Sequence, residues 1–308
     1  MAITLAEASK LSNDILLQGV IETIIKESPV LQYLPFIEVV GNGLTYNQEK
    51  TLGTIEFYNV GDTWAESTPT FEQVTAVLRI LGGDADVDGL LKATRSNLND
   101  LEAEIIALKA KAAAHKFEQT FVYGDNGVNA KEWNGLILTI DTQTPSAQVI
   151  AMGADGATLS LVKIDELCDL VKGGRPDLLL MSRRSRRKIQ SLCRAAGTNL
   201  EISTGKIGQQ VELWGTVPIG VSDWVLDTHL VALSKEAAKN WTGGTSSTIY
   251  AIQFGEGALC GITSPGGLQV ERVGPLENKD ATRTRIKFYN SLVLFCSLKA
   301  AALIGVQD

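Results

Sequence analysis

Few residues of this chain have types and spacings that could do chemistry. Its two histidines, His115 and His229, are far apart in sequence. A transition-metal site needs a second imidazole or a thiol pair close by. The four cysteines, Cys168, Cys193, Cys260 and Cys296, form no CxxC pair, so they read as reduced, mostly buried thiols of a chain folded in a cytoplasm. Asp84, Asp86 and Asp88 alternate ahead of Gly89 like the start of a calcium loop. The twelfth position counted from Asp84, where a bidentate glutamate belongs, is Arg95. The glycine pairs 82–83, 173–174, 243–244 and 266–267 fit neither a dinucleotide fingerprint nor a P-loop, and Lys206 lacks the upstream glycine of a Walker motif. All read as turns. The sequence therefore predicts no catalytic residue, no cofactor-binding residue and no metal site.

One dense basic run remains: Arg183, Arg184, Arg186, Arg187 and Lys188. It reads either as the solvated start of a helix or as a contact surface for DNA or an acidic neighbour. The net charge of −7 disfavours a wide nucleic-acid or anionic-membrane surface, which would need clustered cations. Hydrophobic residues at 44% and charged residues at 20% fit a globular protein. A chain of 308 residues can bury one large or two small cores. No run of 18 apolar residues predicts a membrane span, and the first ten residues lack the pattern of a signal peptide.

The elements that must position these residues are legible in outline. Residues 97–124 read as one long helix, capped by Asn97 and stopped by Gly124. Leu98, Leu101, Ile105, Leu108 and Ala112 form its expected apolar stripe. About 26 residues at roughly 1.5 Å each give about 40 Å. Residues 4–26 read as an amphipathic helix with a capping-box start at Thr4 and Glu7, ended by Ser28 and Pro29. Residues 38–80 read as a β-hairpin, with strand candidates that include 53–60 and 71–81. Its middle is polar and carries Glu49, Lys50, Glu56, Asp62 and Glu66 around Tyr58 and Trp64. Such a hairpin is a poor core element and suits an arm packed on another chain. Residues 158–273 alternate helix and strand, with helices at 159–172 and 183–196. Strands are expected at 177–181, 211–214, 216–220, 229–233 and 249–254, and later ones at 266–273 and 284–295.

The order of these features resembles the major capsid proteins of tailed bacteriophages, which share the HK97-like fold. The matching text is the Gly-Asp segment 82–88, the long helix, Gly124-Asp125, then Trp133-Asn134-Gly135-Leu136, and a closing segment at 283–306. The resemblance implies an α+β fold with an N-terminal arm at 1–37 and an extended β-hairpin, the E-loop, at 38–80. It implies a P-domain at 81–150 and 264–291 holding the spine helix, and an α/β A-domain at 151–263 and 292–308. It implies a structural protein, not an enzyme, that self-assembles as pentamers and hexamers into an icosahedral shell around packaged double-stranded DNA.

On that resemblance, Glu49, Lys50, Glu56, Tyr58, Asp62, Trp64 and Glu66 are subunit-interface candidates on the hairpin. Arg183, Arg184, Arg186 and Arg187 are candidates around the capsomer centre, where like charges on neighbouring copies would need acidic partners. The partners implied are further copies of the chain, a separate scaffolding protein, a portal and a cement protein, with DNA contacted non-specifically and no membrane. The location implied is the virion capsid, assembled in the host cytoplasm. Some members of the family cross-link a lysine on the E-loop to an asparagine on the P-domain. Lys50 and Asn278 occupy such regions without a supporting local pattern, so no cross-link is expected. The alternatives are an encapsulin-type cellular nanocompartment shell and, from another class, a cytoplasmic α/β enzyme.

Overall fold

The computed structural model describes residues 3–4, 28–51, 53–90, 101–143, 148–153, 156–204, 210–227 and 245–307. Of the helix expected at 4–26, Thr4 lies in a strand and residues 5–26 lie outside the described residues, as do the first turn of the long helix and the strand at 229–233. The chain begins with strand β1 (Ile3–Thr4), a short helix α1 (Pro29–Tyr33) and β2 (Pro35–Glu38). β3 (Gly43–Thr51), β4 (Thr70–Val77) and β5 (Arg79–Asp88) follow. The long helix is α2 (Leu101–Tyr123), and α3 (Leu136–Gln143) comes next. Then come β6 (Val149–Ala151), β7 (Ala157–Thr158), α4 (Leu161–Leu170) and β8 (Leu178–Met181). α5 (Arg183–Ala195) leads to β9 (Glu201–Thr204), β10 (Gln210–Trp214) and β11 (Val217–Val221). The chain closes with β12 (Ser247–Ile252), β13 (Leu259–Pro275), β14 (Ala281–Leu294) and β15 (Ala300–Gln307).

Two main sheets organise these elements. The first has the order β1-β2-β13-β14-β5, and the second β6-β15-β12-β8-β11-β10-β9 with β7 beside β15. β3 and β4 form a separate two-stranded hairpin. In the second sheet β8 and β12 are buried throughout, as central strands covered on both faces must be. Leu178, Leu180, Tyr250 and Ile252 face the core that includes α2. Leu179, Met181, Ile249 and Ala251 face the core that includes α4 and α5.

β14 alternates along its length. Thr284, Ile286 and Phe288 are buried, while Arg283, Arg285 and Lys287 are partly open. The buried side packs against α2, whose contact stripe is Ile106, Ala110, Ala114, Phe117 and Phe121. This differs from the expected stripe: Leu108 is 67% exposed, Ala112 is exposed, and Ile105 is only partly buried. The reason is steric. The sheet already supplies bulk through Phe36, Ile286 and Phe288, with ring centroids of Phe36 and Phe288 5.5 Å apart. Alanines let the helix lie close on that surface, and the leucine points away.

On the other side of β14, Arg285 donates to Asp84 at 2.6 and 2.9 Å, and Arg283 to Asp86 at 2.6 and 2.8 Å. Lys279 also reaches Asp86, at 2.8 Å. Arg285 and Arg283 stand directly opposite Asp84 and Asp86 in the β5–β14 ladder. Asp84 and Asp86 thus belong to one face of a strand paired with arginines, not to a loop.

The structure departs from the expected elements elsewhere as well. Residues 53–60 lie in an extended tip without strand pairing, and the expected strand 71–81 breaks at Leu78 into β4 and β5. α3 and β9 appear where no element was expected. The expected division points at 263/264 and 291/292 fall inside β13 and β14, which run as one continuous hairpin from Leu259 to Leu294. The chain passes between the two sheets around residues 253–258 and 295–299 instead.

Gly124 ends α2, but not through a left-handed backbone. A Cβ there would lie 2.2 Å from the Trp133 carbonyl oxygen and 2.6 Å from that of Thr120. Gly135 closes the same turn: its N–H donates to the Gly124 carbonyl at 2.7 Å. Its own Cβ would lie 2.5 Å from the Gly124 nitrogen. Between them the Trp133 indole donates to the Asn290 side-chain oxygen at 2.8 Å, tying the turn to β14. Gly124→Ala should therefore destabilise by about 1–3 kcal/mol or more, because the obstacles are backbone oxygens that cannot step aside. Gly83→Ala, with nothing within 4 Å of the added methyl, should be neutral or slightly stabilising. Thermal unfolding of the two variants against the parent checks this; equal midpoints would remove the close-packing account.

Candidate assembly surfaces

The β3–β4 hairpin has a fixed base and an uncovered tip. At the base the rings of Tyr46 and Phe295 meet edge to face at 5.0 Å. The Gln48 amide donates to the Leu294 carbonyl at 2.5 Å. Val39, Tyr46, Cys260, Ile262 and Val293 form a small core there. Beyond the ladder, residues 53–69 hold their shape through their own contacts. Tyr58 and Trp64 stack at 4.8 Å, and the Tyr58 hydroxyl accepts from the Ala65 N–H at 3.1 Å. Asp62 accepts from the Asn59 N–H at 2.6 Å, and Ser67 accepts from that of Thr54 at 2.6 Å.

The interface candidates expected on the hairpin thus divide. Tyr58, Asp62 and Trp64 shape the loop. Glu56 and Glu66 are exposed on it. Glu49 and Lys50 belong to β3, with Glu49 opposite Phe71. The large apolar side chains that stand most open are others: Ile55 at 96%, Phe57 at 108% and Val60 at 108% exposure. Fully covering one such side chain is worth about 1.5–3 kcal/mol. The signal for them was the Ile55-x-Phe57 alternation in a segment without strand pairing among the described residues.

The basic run opens α5. Ser182 caps the helix by accepting from the Ser185 N–H at 3.2 Å. Arg183 makes a two-pronged pair with Asp223 at 2.5 and 2.8 Å. Arg184 lies 3.8 Å from Asp227 and donates to the Thr245 carbonyl at 2.6 Å. Arg186 pairs with Glu212 at 2.9 Å. Arg187 follows one residue later on the same helix and also has a partner. Acidic partners for Arg183, Arg184 and Arg186 are supplied by the chain itself.

The loop that carries Asp223 and Asp227 also packs on α2. The Leu226 N–H donates to the Tyr123 hydroxyl at 2.8 Å, and Trp224 meets His115 edge to face at 6.0 Å. Glu118, 3% exposed, faces Ser222 in this contact, and its Oε1 has no hydrogen-bond partner. Burial raises the Cys168 thiol to about 11 and the Cys260 thiol to about 12, which keeps both protonated at neutral pH. Among the described residues, no group of three or more His, Cys, Asp or Glu is arranged to hold a metal. No helix among them is long and apolar enough to cross a membrane.

The model of the phage capsid family matches residues 11–225, well over half of the chain. This chain belongs to the phage capsid family. No curated protein matches it in sequence. Among solved structures, it is similar to the holo-SrpI encapsulin complex of Synechococcus elongatus PCC 7942, at 17% identity and a TM-score of 0.66. That match covers 100% of this chain and 97% of the other. The capsid of an empty GTA particle matches at 14% identity and a TM-score of 0.62, over 91% and 90% of the two chains. Microbacterium phage Oxtober96 matches at 14% identity and a TM-score of 0.61, over 91% of each chain. At these identities the likeness is one of fold, the HK97-like fold with mixed helix and sheet. The protein is a bacteriophage major capsid protein, a structural component of an icosahedral capsid built from many copies, and not an enzyme.

In the capsid protein, burial first and Asp223 second raise the Glu118 carboxyl from 4.5 to about 7, against a hydrogen bond to Ser222 that lowers it. The folded state therefore keeps this proton where the unfolded chain has lost it. Stability contributed by the neutral carboxyl is complete below the unfolded value, falls as pH rises from about 4.5 to about 7, and is flat above. The total is on the order of 3 kcal/mol. Glu118→Gln should flatten this dependence and raise the unfolding midpoint at pH 8 more than at pH 5. Thermal melts at the two pH values check it; a parallel shift at both would contradict it.

Proposed function

We propose that the chain polymerises as pentamers and hexamers into a shell around packaged double-stranded DNA, in the cytoplasm of the host cell. The observation that carries this reading is the hairpin: its base is locked into the subunit core while its tip leaves Ile55, Phe57 and Val60 uncovered. Such a surface is stable only when another copy covers it. The first sheet with α2 forms the P-domain, the second sheet with α4 and α5 forms the A-domain, and β3–β4 is the E-loop arm. The net charge of −7 suits a wall that encloses DNA without trapping it. A scaffolding protein, a portal and a cement protein complete the assembly.

The likeness to an encapsulin over the whole chain supports a second reading, a cellular nanocompartment shell. Purified particles separate the two: nucleic acid inside supports the phage shell, and a cargo protein supports the nanocompartment.

Replacing residues 53–69 by a short Gly-Ser link should leave a soluble, folded protein that builds no shells, since the hairpin base keeps its own contacts. An unfolded product, or normal shells on electron microscopy, would count against the hairpin as the assembly arm.

The shell is held without covalent links. Asn278 is exposed in the turn between β13 and β14, and attack on its amide by a lysine needs a desolvated site with a general base. Mature particles boiled in detergent without reductant should run as a single band at 33.1 kDa. A ladder resistant to reductant would point to an isopeptide bond instead.

A further inference from the structure

A cavity of about 180 Å³ opens between the start of β5, α2 and the turn that follows α2. Arg79 of β5, Lys116 of α2 and Lys131 of the turn stand around it with one acid, Glu132. Glu132 is already engaged: it pairs with Lys116 at 2.8 Å and accepts from the Asn129 amide at 3.0 Å. Arg79 donates to the neutral Asn126 side chain at 3.1 Å. Among the described residues neither Arg79 nor Lys131 has a carboxylate partner. Three cations against one acid leave the lining with two positive charges in excess, in a chain whose net charge is −7.

The floor of the cavity is Asn290 of β14, which is fully buried. The Trp133 indole donates to its Oδ1 at 2.8 Å, and that bond fixes which end of the amide is which. The Nδ2 end is buried and has no acceptor. A buried donor left unpaired is costly, so this one calls for an acceptor from outside the chain. Asn290 and Arg79 are directly opposed in the β5–β14 ladder, so their side chains leave the same face of the sheet.

Charge and space together select the ligand. A metal ion would meet an excess of like charge. An apolar group would leave the amide and two cations unmatched. The volume lies below the roughly 300 Å³ at which pockets for drug-sized ligands begin. A four-oxygen dianion matches the excess charge and turns an acceptor toward each of the four donors.

We propose that this cavity binds a small tetrahedral dianion, free inorganic phosphate, held by Arg79, Lys116, Lys131 and the Asn290 amide. The ion ties β5 to α2 and to the turn after it, three elements that meet at the site. The phosphates of DNA share this chemistry. Each carries a single charge, however, and comes with sugars and bases that the cavity cannot house.

The test uses the full chain. Calorimetric titration with inorganic phosphate at pH 8, against sodium chloride of equal ionic strength, should show saturable binding of one ion per chain. Arg79→Gln with Lys131→Gln removes the two uncompensated charges and should weaken binding about tenfold or more, the worth of a charge-assisted hydrogen bond. Lys109→Gln with Lys111→Gln takes two cations from α2 away from the cavity and should leave binding unchanged. Phosphate should also slow hydrogen exchange at residues 79–81 and 129–133 in the parent and not in the Arg79–Lys131 variant. Circular dichroism confirms that each variant is folded. Equal affinity in the two double variants would mean an adventitious ion only and would overturn the site, as would the absence of saturable binding. Displacement of the phosphate by a short DNA duplex would assign the site to nucleic acid and overturn the free-ion proposal.

Discussion

β14 shows α2 its buried residues Thr284, Ile286 and Phe288 and shows the opposite side Arg283, Arg285 and Lys287. The first sheet, α2 and the hairpin base take their positions from that alternation. A strand has a side-chain period of two, so slipping β14 by one residue would drive arginines against Ala110, Ala114 and Phe117. The aspartates of β5 guard the same register from the other face, because Asp84 and Asp86 meet their arginines only when β5 and β14 are aligned as found. Arg283 and Asp86 hold each other in the charged state, which lowers the aspartate well below the usual carboxylate range. That contribution is present at neutral pH and is lost only in strong acid. The groups are partly open to solvent, so their role is to align strands rather than to supply most of the stability.

With β14 fixed, the hairpin can be both rigid and unfinished. Its base shares a small core with β13 and β14, through Tyr46, Cys260 and Val293. Its tip closes on itself through the Tyr58–Trp64 stack. A tip without internal order would lose conformational entropy on docking, at about 1–2 kcal/mol of backbone ordering per residue. Pre-shaping it in the free subunit reduces that cost, and many modest contacts can then add up to a stable shell.

The sequence made the order of elements legible because the long helix, its glycine stop and the Trp-Asn-Gly-Leu turn are local signals. It misled where the answer depended on what lay across the contact. Leu108 reads as core by size and spacing, yet Ala110 and Ala114 are the buried residues because the opposing surface is already filled by aromatics. The basic run looked like a liability, since Asp223, Asp227 and Glu212 lie 26 to 43 residues away along the chain. No spacing rule joins them to α5. The tip was misread in a different way. Its charges and aromatics stood out, and Trp64 is open at 79% even in its stack with Tyr58, but the plainer Ile55, Phe57 and Val60 are more open still.

Charge closure separates the two kinds of surface on this subunit. Asp84 and Asp86 are matched by Arg285, Arg283 and Lys279, and Arg183 and Arg186 by Asp223 and Glu212, all within one chain. Surfaces closed in this way carry little drive to attract a neighbour. The hairpin tip is built otherwise, with three carboxylates and no Lys or Arg between residues 53 and 69. Its apolar residues alone would favour indiscriminate sticking. Its carboxylates alone would be screened over about 8 Å at physiological salt. A surface complementary to the tip needs both features side by side: a bare apolar one would leave charges buried and unpaired, and a bare basic one would leave Ile55 and Phe57 wet.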